Sequence, residues 1–446
     1  MSLRRDFVLM RFLSRAAFIG LSAAGLLLLS TSAFAGVRGG IDTGDTAWVL
    51  ASAAMVMLMT PGLGLFYAGM VRRKNVLGTI LQSFVMVGII GVLWVLYGYS
   101  LAFGKDHWGI IGSLDWIGLR NVGLTPNPDY APTIPHQAFM IYQAMFAIIT
   151  PALVTGAFAE RMKFKAFLIF SILWATVIYC PIAHWVWAPG GWLRELGAFD
   201  FAGGIVVHIS SGIAALCCAL VLGHRKGYMR DEFTPHNLTM TLVGTGLLWF
   251  GWFGFNAGSA LAANGTAVGA FVATNTAGAA AACTWLFVEW WHRGKPTALG
   301  AASGAVAGLA AVTPASGYIG PMAAMAIGVI VGALCYFAIM LKSKFSYDDS
   351  LDVFGVHGVG GIWGVVAVGL FASTAVNASV KNGLFYGSSA LLVHQLIAIV
   401  AVGAYSFIAT FILLKLTGVI TPLRVEKDDE EVGLDLSQHG EAGYHF

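Results

Sequence analysis

Apolar stretches about twenty residues long recur throughout the chain, separated by short runs where glycine, proline or charged residues cluster. About 20 apolar residues carry a helix across the hydrocarbon layer of a bilayer. Lipid offers backbone polar groups no partner, so each stretch is predicted to be a membrane-spanning helix. After an N-terminal leader there are eleven, with approximate limits 46–71, 76–103, 138–159, 164–187, 201–223, 236–260, 266–291, 298–315, 318–341, 352–373 and 388–416. The leader carries Arg4, Arg5, Arg11 and Arg15, then an apolar run, then an Ala33-x-Ala35 site. That order is the layout of a secretory signal peptide over residues 1–35, with a mature chain starting near Gly36.

Ten of the eleven helices divide into five and five, and an odd number in the first set forces the second to be inserted upside down. The expected fold class is therefore an all-α polytopic membrane protein with eleven transmembrane helices, a 5+5 inverted repeat plus a C-terminal helix. The repeat halves run over about 46–223 and 236–373 and the extra helix over 388–416. Together they lie in a membrane domain at 36–423, followed by a polar tail at 424–446. With the mature N-terminus outside, sixteen Lys and Arg fall in inner loops and tail against five outside. This positive-inside bias puts the C-terminus in the cytoplasm.

Composition agrees: 58% apolar and 11% charged residues exclude an ordinary soluble domain. A net charge of +3 from scattered bases leaves no footprint for nucleic acid. The five cysteines lie in apolar stretches without a C-x-x-C pair, and are read as small core residues rather than a disulfide or zinc set. Pairs of glycines spaced by four, as at Gly254/Gly258, Gly304/Gly308 and Gly328/Gly332, suit close helix approach in lipid.

Candidate chemistry sits where polarity interrupts this pattern. His208 and His357 lie well inside apolar stretches and at matching repeat positions, the last helix of each half. Helix 5 opens with Asp200 and helix 10 with Asp352, each followed by a glycine-rich turn and then the histidine. Intramembrane ionisable groups are costly and mark transport paths, and inverted repeats place such paths near the midplane. The pair is read as sharing a pore. Two imidazoles without a third ligand make no metal site, and the acids are read first as helix caps. Helix 6 carries Trp249, Trp252, Phe253 and Phe255 with Ser259 a turn beyond, a stripe that spacing alone assigns to packing.

Taken together, the stretches PGLGLFYAGMVRRKNV, GAFAERMKF, DFAGGIVVHI, PHNLTM, GWFGFNAGSA, GVHGVGGI and GLDLSQHGEAGY resemble the ammonium transporter family (Amt/Mep/Rh), in its bacterial Amt branch. The resemblance implies a homotrimer in the bacterial inner membrane, each protomer with its own narrow pore for ammonium or ammonia and no cofactor. It implies that Trp174 and Ser259 form an outer recruitment site, supported by Asp200. Phe146 and Phe255 would close the pore below it, and His208 and His357 line it further in. Two positions depart from the family pattern: Tyr142 stands where phenylalanine is common in the outer vestibule, and Pro151 interrupts helix 3 beside the gate.

The tail reads on composition as solvated and partly disordered. The resemblance implies instead that it packs on the cytoplasmic face and helps dock a PII-type nitrogen signal protein, with Gly433, Asp435, His439 and Gly440 in the matching motif. The alternative function is an ammonium-sensing membrane receptor that signals without net transport, for which only about twenty polar residues after the last helix leave little output apparatus. An enzyme is not expected, since no metal cluster, nucleophile constellation or nucleotide loop stands out.

Overall fold

The computed structural model describes residues 40–444, so the signal segment expected over 1–35 lies outside the described residues. Among the described residues, ten helices are long and apolar enough to cross a membrane. They are α1 (Thr43–Met70), α2 (Arg73–Phe103), α3 (His136–Phe158), α4 (Phe164–Leu196, broken at 188–191), α5 (Gly204–Leu222), α6 (Leu238–Ala260), α7 (Gly265–Arg293), α9 (Pro321–Phe345), α10 (Phe354–Phe371) and α11 (Ala390–Ile420). The remaining apolar helix, α8 (Ala298–Val312), has 15 residues. At 1.5 Å per residue it rises only about 22 Å. The architecture is the all-helical polytopic one expected, with the eighth helix short.

Small residues set the packing. Gly304 and Gly308 of α8, and Gly328 and Gly332 of α9, are seated against the Ala277 and Ala281 region of α7, where any added methyl would meet backbone or Cβ atoms within 3 Å. Gly254 and Gly258 of α6 press on Ser52 and Met55 of α1 in the same way. α11 lies outside the repeat against α4, α5 and α10. Four of the five cysteines are buried among these helices, while Cys283 is exposed on α7.

The contact that matters most is between α5 and α10. A Cβ on Gly212 would fall 2.2 Å from the Gly358 nitrogen, and one on Gly361 would fall 2.9 Å from the His208 Cβ. The two backbones therefore touch where the histidines sit. Both helices also open with a π-helical turn, Gly204–Ile209 and Phe354–Gly358. Such turns are rare and recur at functional sites because they re-aim side chains.

At the helix ends on the side of the C-terminal tail the chain is tied by buried charge. Glu160, 2% exposed, accepts from the Arg72 backbone N–H (2.9 Å), Arg72 Nε (3.0 Å), Asn75 Nδ2 (2.8 Å) and Arg225 Nη1 (3.1 Å). Arg225 also pairs with Asp348 at 2.8 Å. The tail docks here rather than floating. It forms α12 (Lys427–Val432) and α13 (Leu434–His439). The Asp435 carboxylate accepts from the Leu77 and Gly78 N–H groups at 3.0 and 2.8 Å. His439 sets its ring edge-on to Phe164 at 4.8 Å. Gly433, at φ +108°, has Lys74 side-chain and backbone atoms 2.6 Å from where a Cβ would be, so only glycine fits, and Gly440 closes α13 at φ +68°.

Candidate functional site

A series of cavities lies between the α6–α7 turn and the middle of the helices. A mouth of about 620 Å³ is lined by Trp187, Arg194, Asp200, Phe201, Ser259 and neighbouring polar residues. Adjoining it, and sharing Trp187, Arg194, Phe201 and Ser259, is a vestibule of about 170 Å³ whose wall also includes Phe103, Phe139 and Phe146. Below lies a small void bounded by Phe255, Trp252, His208, His357, Leu63, Leu153 and other apolar side chains. Its room for the centre of a water-sized molecule is about 10 Å³, close to one such molecule.

Phe146 faces the vestibule and Phe255 faces the void. Their ring centroids are 4.3 Å apart at 40°, and each is 1% exposed. The two rings therefore stand between the vestibule and the void. α3 runs unbroken through Pro151. The Thr150 hydroxyl donates to the Phe146 carbonyl at 2.6 Å.

The two histidines meet. Nδ1 of His208 and Nδ1 of His357 are 3.2 Å apart, their ring planes differ by 19°, and the residues are 1% and 3% exposed. Between two ring nitrogens at this distance one carries the proton and the other accepts it, so the neutral pair holds opposite tautomers. His208 Nε2 is buried and has no hydrogen-bond partner among the described residues. His208 also lies parallel to Trp252 and Phe255, at centroid distances of 5.7 and 6.1 Å. The pair is thus the polar strip of an otherwise oily chamber.

Asp200 holds α5 in place. One of its oxygens accepts from the N–H groups of Gly203 and Gly204 at 2.8 and 2.7 Å, the other from Ile205 and Val206 at 2.7 and 3.1 Å. Both oxygens are committed to the backbone, which is helix capping in a buried setting. Tyr142 is fully buried and does not line the vestibule. Its hydroxyl lies 2.9 Å from the carbonyls of Gly254 and Phe255 and 3.1 Å from Ser259 Oγ, clamping α3 onto α6 and steadying the serine.

Two further expected positions need correction. Trp174 is not in the outer site: it is fully buried on α4 with its indole N–H donating to Thr410 of α11 at 3.2 Å. The vestibule tryptophan is Trp187, which meets Phe146 edge-on at 5.8 Å and donates to the Asp200 carbonyl at 3.0 Å. The second correction concerns helix 10. Asp352 does not match Asp200, since it has φ +61° and pairs with Lys342. Asp349 does, accepting from the Phe354 N–H at 2.7 Å. Asp349 stands eight residues before His357, as Asp200 stands eight before His208, and that equal spacing was the available signal.

A family profile, the Ammonium Transporter Family, matches residues 47–444. An ammonium transporter of Bacillus subtilis is 54% identical over 405 residues, covering 91% of this chain and 99% of that one. Among solved structures, Candida albicans Mep2 superposes with a TM-score of 0.84 at 37% identity over 91% of both chains. A protein described as a sensor Amt protein gives 0.81 at 29% identity, over 89% of this chain and 98% of that one. On these matches, spanning nearly all of the described residues, the chain belongs to the ammonium transporter family.

Proposed function

We propose that the protein conducts ammonium inward by splitting it, passing ammonia through the chamber and its proton along the histidine pair. The observation that carries this reading is the 3.2 Å contact between two imidazoles in an apolar void large enough for about one water-sized molecule. Moving an unpaired ammonium ion into such a chamber would cost on the order of tens of kcal/mol by a Born estimate. The ion therefore gives up its proton near the rings. Ammonia travels on as a small neutral molecule, and the paired rings, one donating and one accepting, supply a separate proton route.

The vestibule selects what reaches the rings. Trp187 offers a π face, worth about 0.5–2 kcal/mol to a cation, and Ser259 an acceptor oxygen. Ser259 Oγ donates its own proton to the Phe255 carbonyl at 2.9 Å and meets the Tyr142 hydroxyl with one lone pair, which leaves the other for an incoming N–H. Trp187→Leu is expected to raise the ammonium concentration giving half-maximal uptake about three- to tenfold, on the scale of that lost attraction. Trp174→Leu should leave the half-saturation unchanged. Uptake by reconstituted vesicles measures both, and equal effects of the two substitutions would remove Trp187 from the recruitment site.

The same reading takes the mature protein as a homotrimer in the bacterial inner membrane, N-terminus outside after removal of residues 1–35. It also takes the docked tail as a landing place for a PII-type nitrogen signal protein. Deleting 425–446 should abolish PII binding in a pull-down; undiminished binding would reject the assignment. The likeness to a sensor Amt protein supports a second reading, sensing without transport, under which vesicles would bind ammonium but accumulate none.

A further inference from the structure

The cavities outside the phenylalanine rings have to hold a cation, and most of their lining suits one. Aromatic side chains of Phe103, Tyr130, Phe139 and Trp187 wall the vestibule together with the carboxylate of Asp129. Glu195 and Asp200 line the mouth. Arg194 runs against this pattern. It lines both cavities and is the only positively charged residue among their lining side chains. It stands on the short helical segment Trp192–Leu196, just past the break at 188–191. Its Nη1 donates to the carbonyl of Trp187 at 2.5 Å, so the charge is tethered to the backbone of the vestibule tryptophan. The ion pairs among the described residues leave Arg194 out, so no carboxylate cancels its charge at contact distance. Arg194 and Asp129 both reach the Tyr130 hydroxyl electrostatically, with opposite sign. Arg194 and Asp200 reach the Tyr318 hydroxyl of the mouth in the same opposed way. The fields of these groups therefore overlap in the space that an entering ion crosses.

We propose that Arg194 sets the affinity of the recruitment site: its guanidinium repels ammonium in the vestibule and offsets part of the attraction from Asp129 and the Trp187 ring. This rests on the reading that ammonium arrives as an ion and is split only near the rings. A like charge at the rim raises the energy of the bound ion without closing the way. An ion held more tightly in the vestibule has further to climb before it gives up its proton, so a base beside the tryptophan exchanges affinity for release.

The test is the ammonium concentration giving half-maximal uptake by reconstituted vesicles. It is measured for wild type, Arg194→Gln, Arg194→Lys and Asp129→Asn, each at about 0.01 M and about 1 M sodium chloride, where screening is weak and strong. Arg194→Gln keeps a donor for the Trp187 carbonyl and removes the charge. At low salt it should lower the half-saturation about two- to fivefold, the scale of one partly hydrated like charge, with a smaller change in the maximal rate. At high salt the difference should vanish. Arg194→Lys should restore the wild-type value, and Asp129→Asn should raise it. A damaged fold loses affinity rather than gaining it, so the sign of the Arg194→Gln shift separates charge from structure. A value for Arg194→Gln at or above that of wild type overturns the proposal, and so does a fall that persists undiminished at high salt. If wild type shows saturable uptake and Arg194→Gln does not shift it, the assignment to Arg194 alone is wrong. Wild-type vesicles that take up no ammonium, or uptake that tracks free ammonia rather than the ion as pH is varied, remove the recruitment reading and this proposal with it.

Discussion

Exchange of His208 for alanine is expected to reduce the ammonium-evoked current about 100-fold or more, the scale of a lost proton-transfer group. The physical reason is that the chamber offers no substitute. Its other lining side chains include Leu63, Leu153, Leu248 and Val306, none of which accepts a proton. His357→Ala should behave in the same way, because a relay of two rings 3.2 Å apart fails when either is removed. Solid-supported-membrane recording of both variants is the measurement. An undiminished, ammonium-selective current in both would show that the proton takes another route.

The largest effect on stability is expected for Glu160→Ala. That carboxylate joins the start of α2, the α3–α4 connection and the α5–α6 loop through Arg72, Asn75 and Arg225. Removing it leaves the Arg72 guanidinium without its counter-charge and Arg225 with Asp348 alone, and breaking a buried pair from one side costs about 3–5 kcal/mol. The expected result is a markedly lower melting temperature in detergent, with Glu160→Asp intermediate. pH sharpens the prediction. Burial alone would raise the Glu160 pKa, but the nearby Arg225 and Arg72 charges outweigh it and hold the carboxyl below its ordinary value of 4.5. Its stabilisation is therefore fully present above about pH 4.5 and drains away as pH falls through the lower folded value. Wild type should lose melting temperature in that acidic window, and the alanine variant should show less of this loss.

Much of the architecture was legible because membrane helices announce themselves by length and polarity. The histidine pair was legible because two ionisable groups in apolar runs are conspicuous and the repeat aligned them. Direction was harder to read. Trp174 and Trp187 are the same residue type on the same helix, and only the break at 188–191 and the packing of α11 decide which one faces the vestibule. Asp352 was nearer to the helix start than Asp349, so proximity concealed the eight-residue spacing that the backbone bonds reveal. Tyr142 looked like an altered vestibule surface, yet its hydroxyl is turned into α6. The tail misled by composition: its acids look solvated one by one, but Glu430 and Asp435 are each 2% exposed and bonded to the membrane domain's loops and helix ends.

Selectivity follows from the chamber. Potassium resembles ammonium in size and charge but has no proton to lose, so an oily void behind closed rings should stop it. The most direct measurement is the current through purified protein in vesicles driven by equal gradients of ammonium and of potassium. Ammonium should evoke a current that empty vesicles lack, and potassium should evoke none above them. A potassium current comparable to that of ammonium would mean that the bare ion crosses between His208 and His357, and the account would be contradicted.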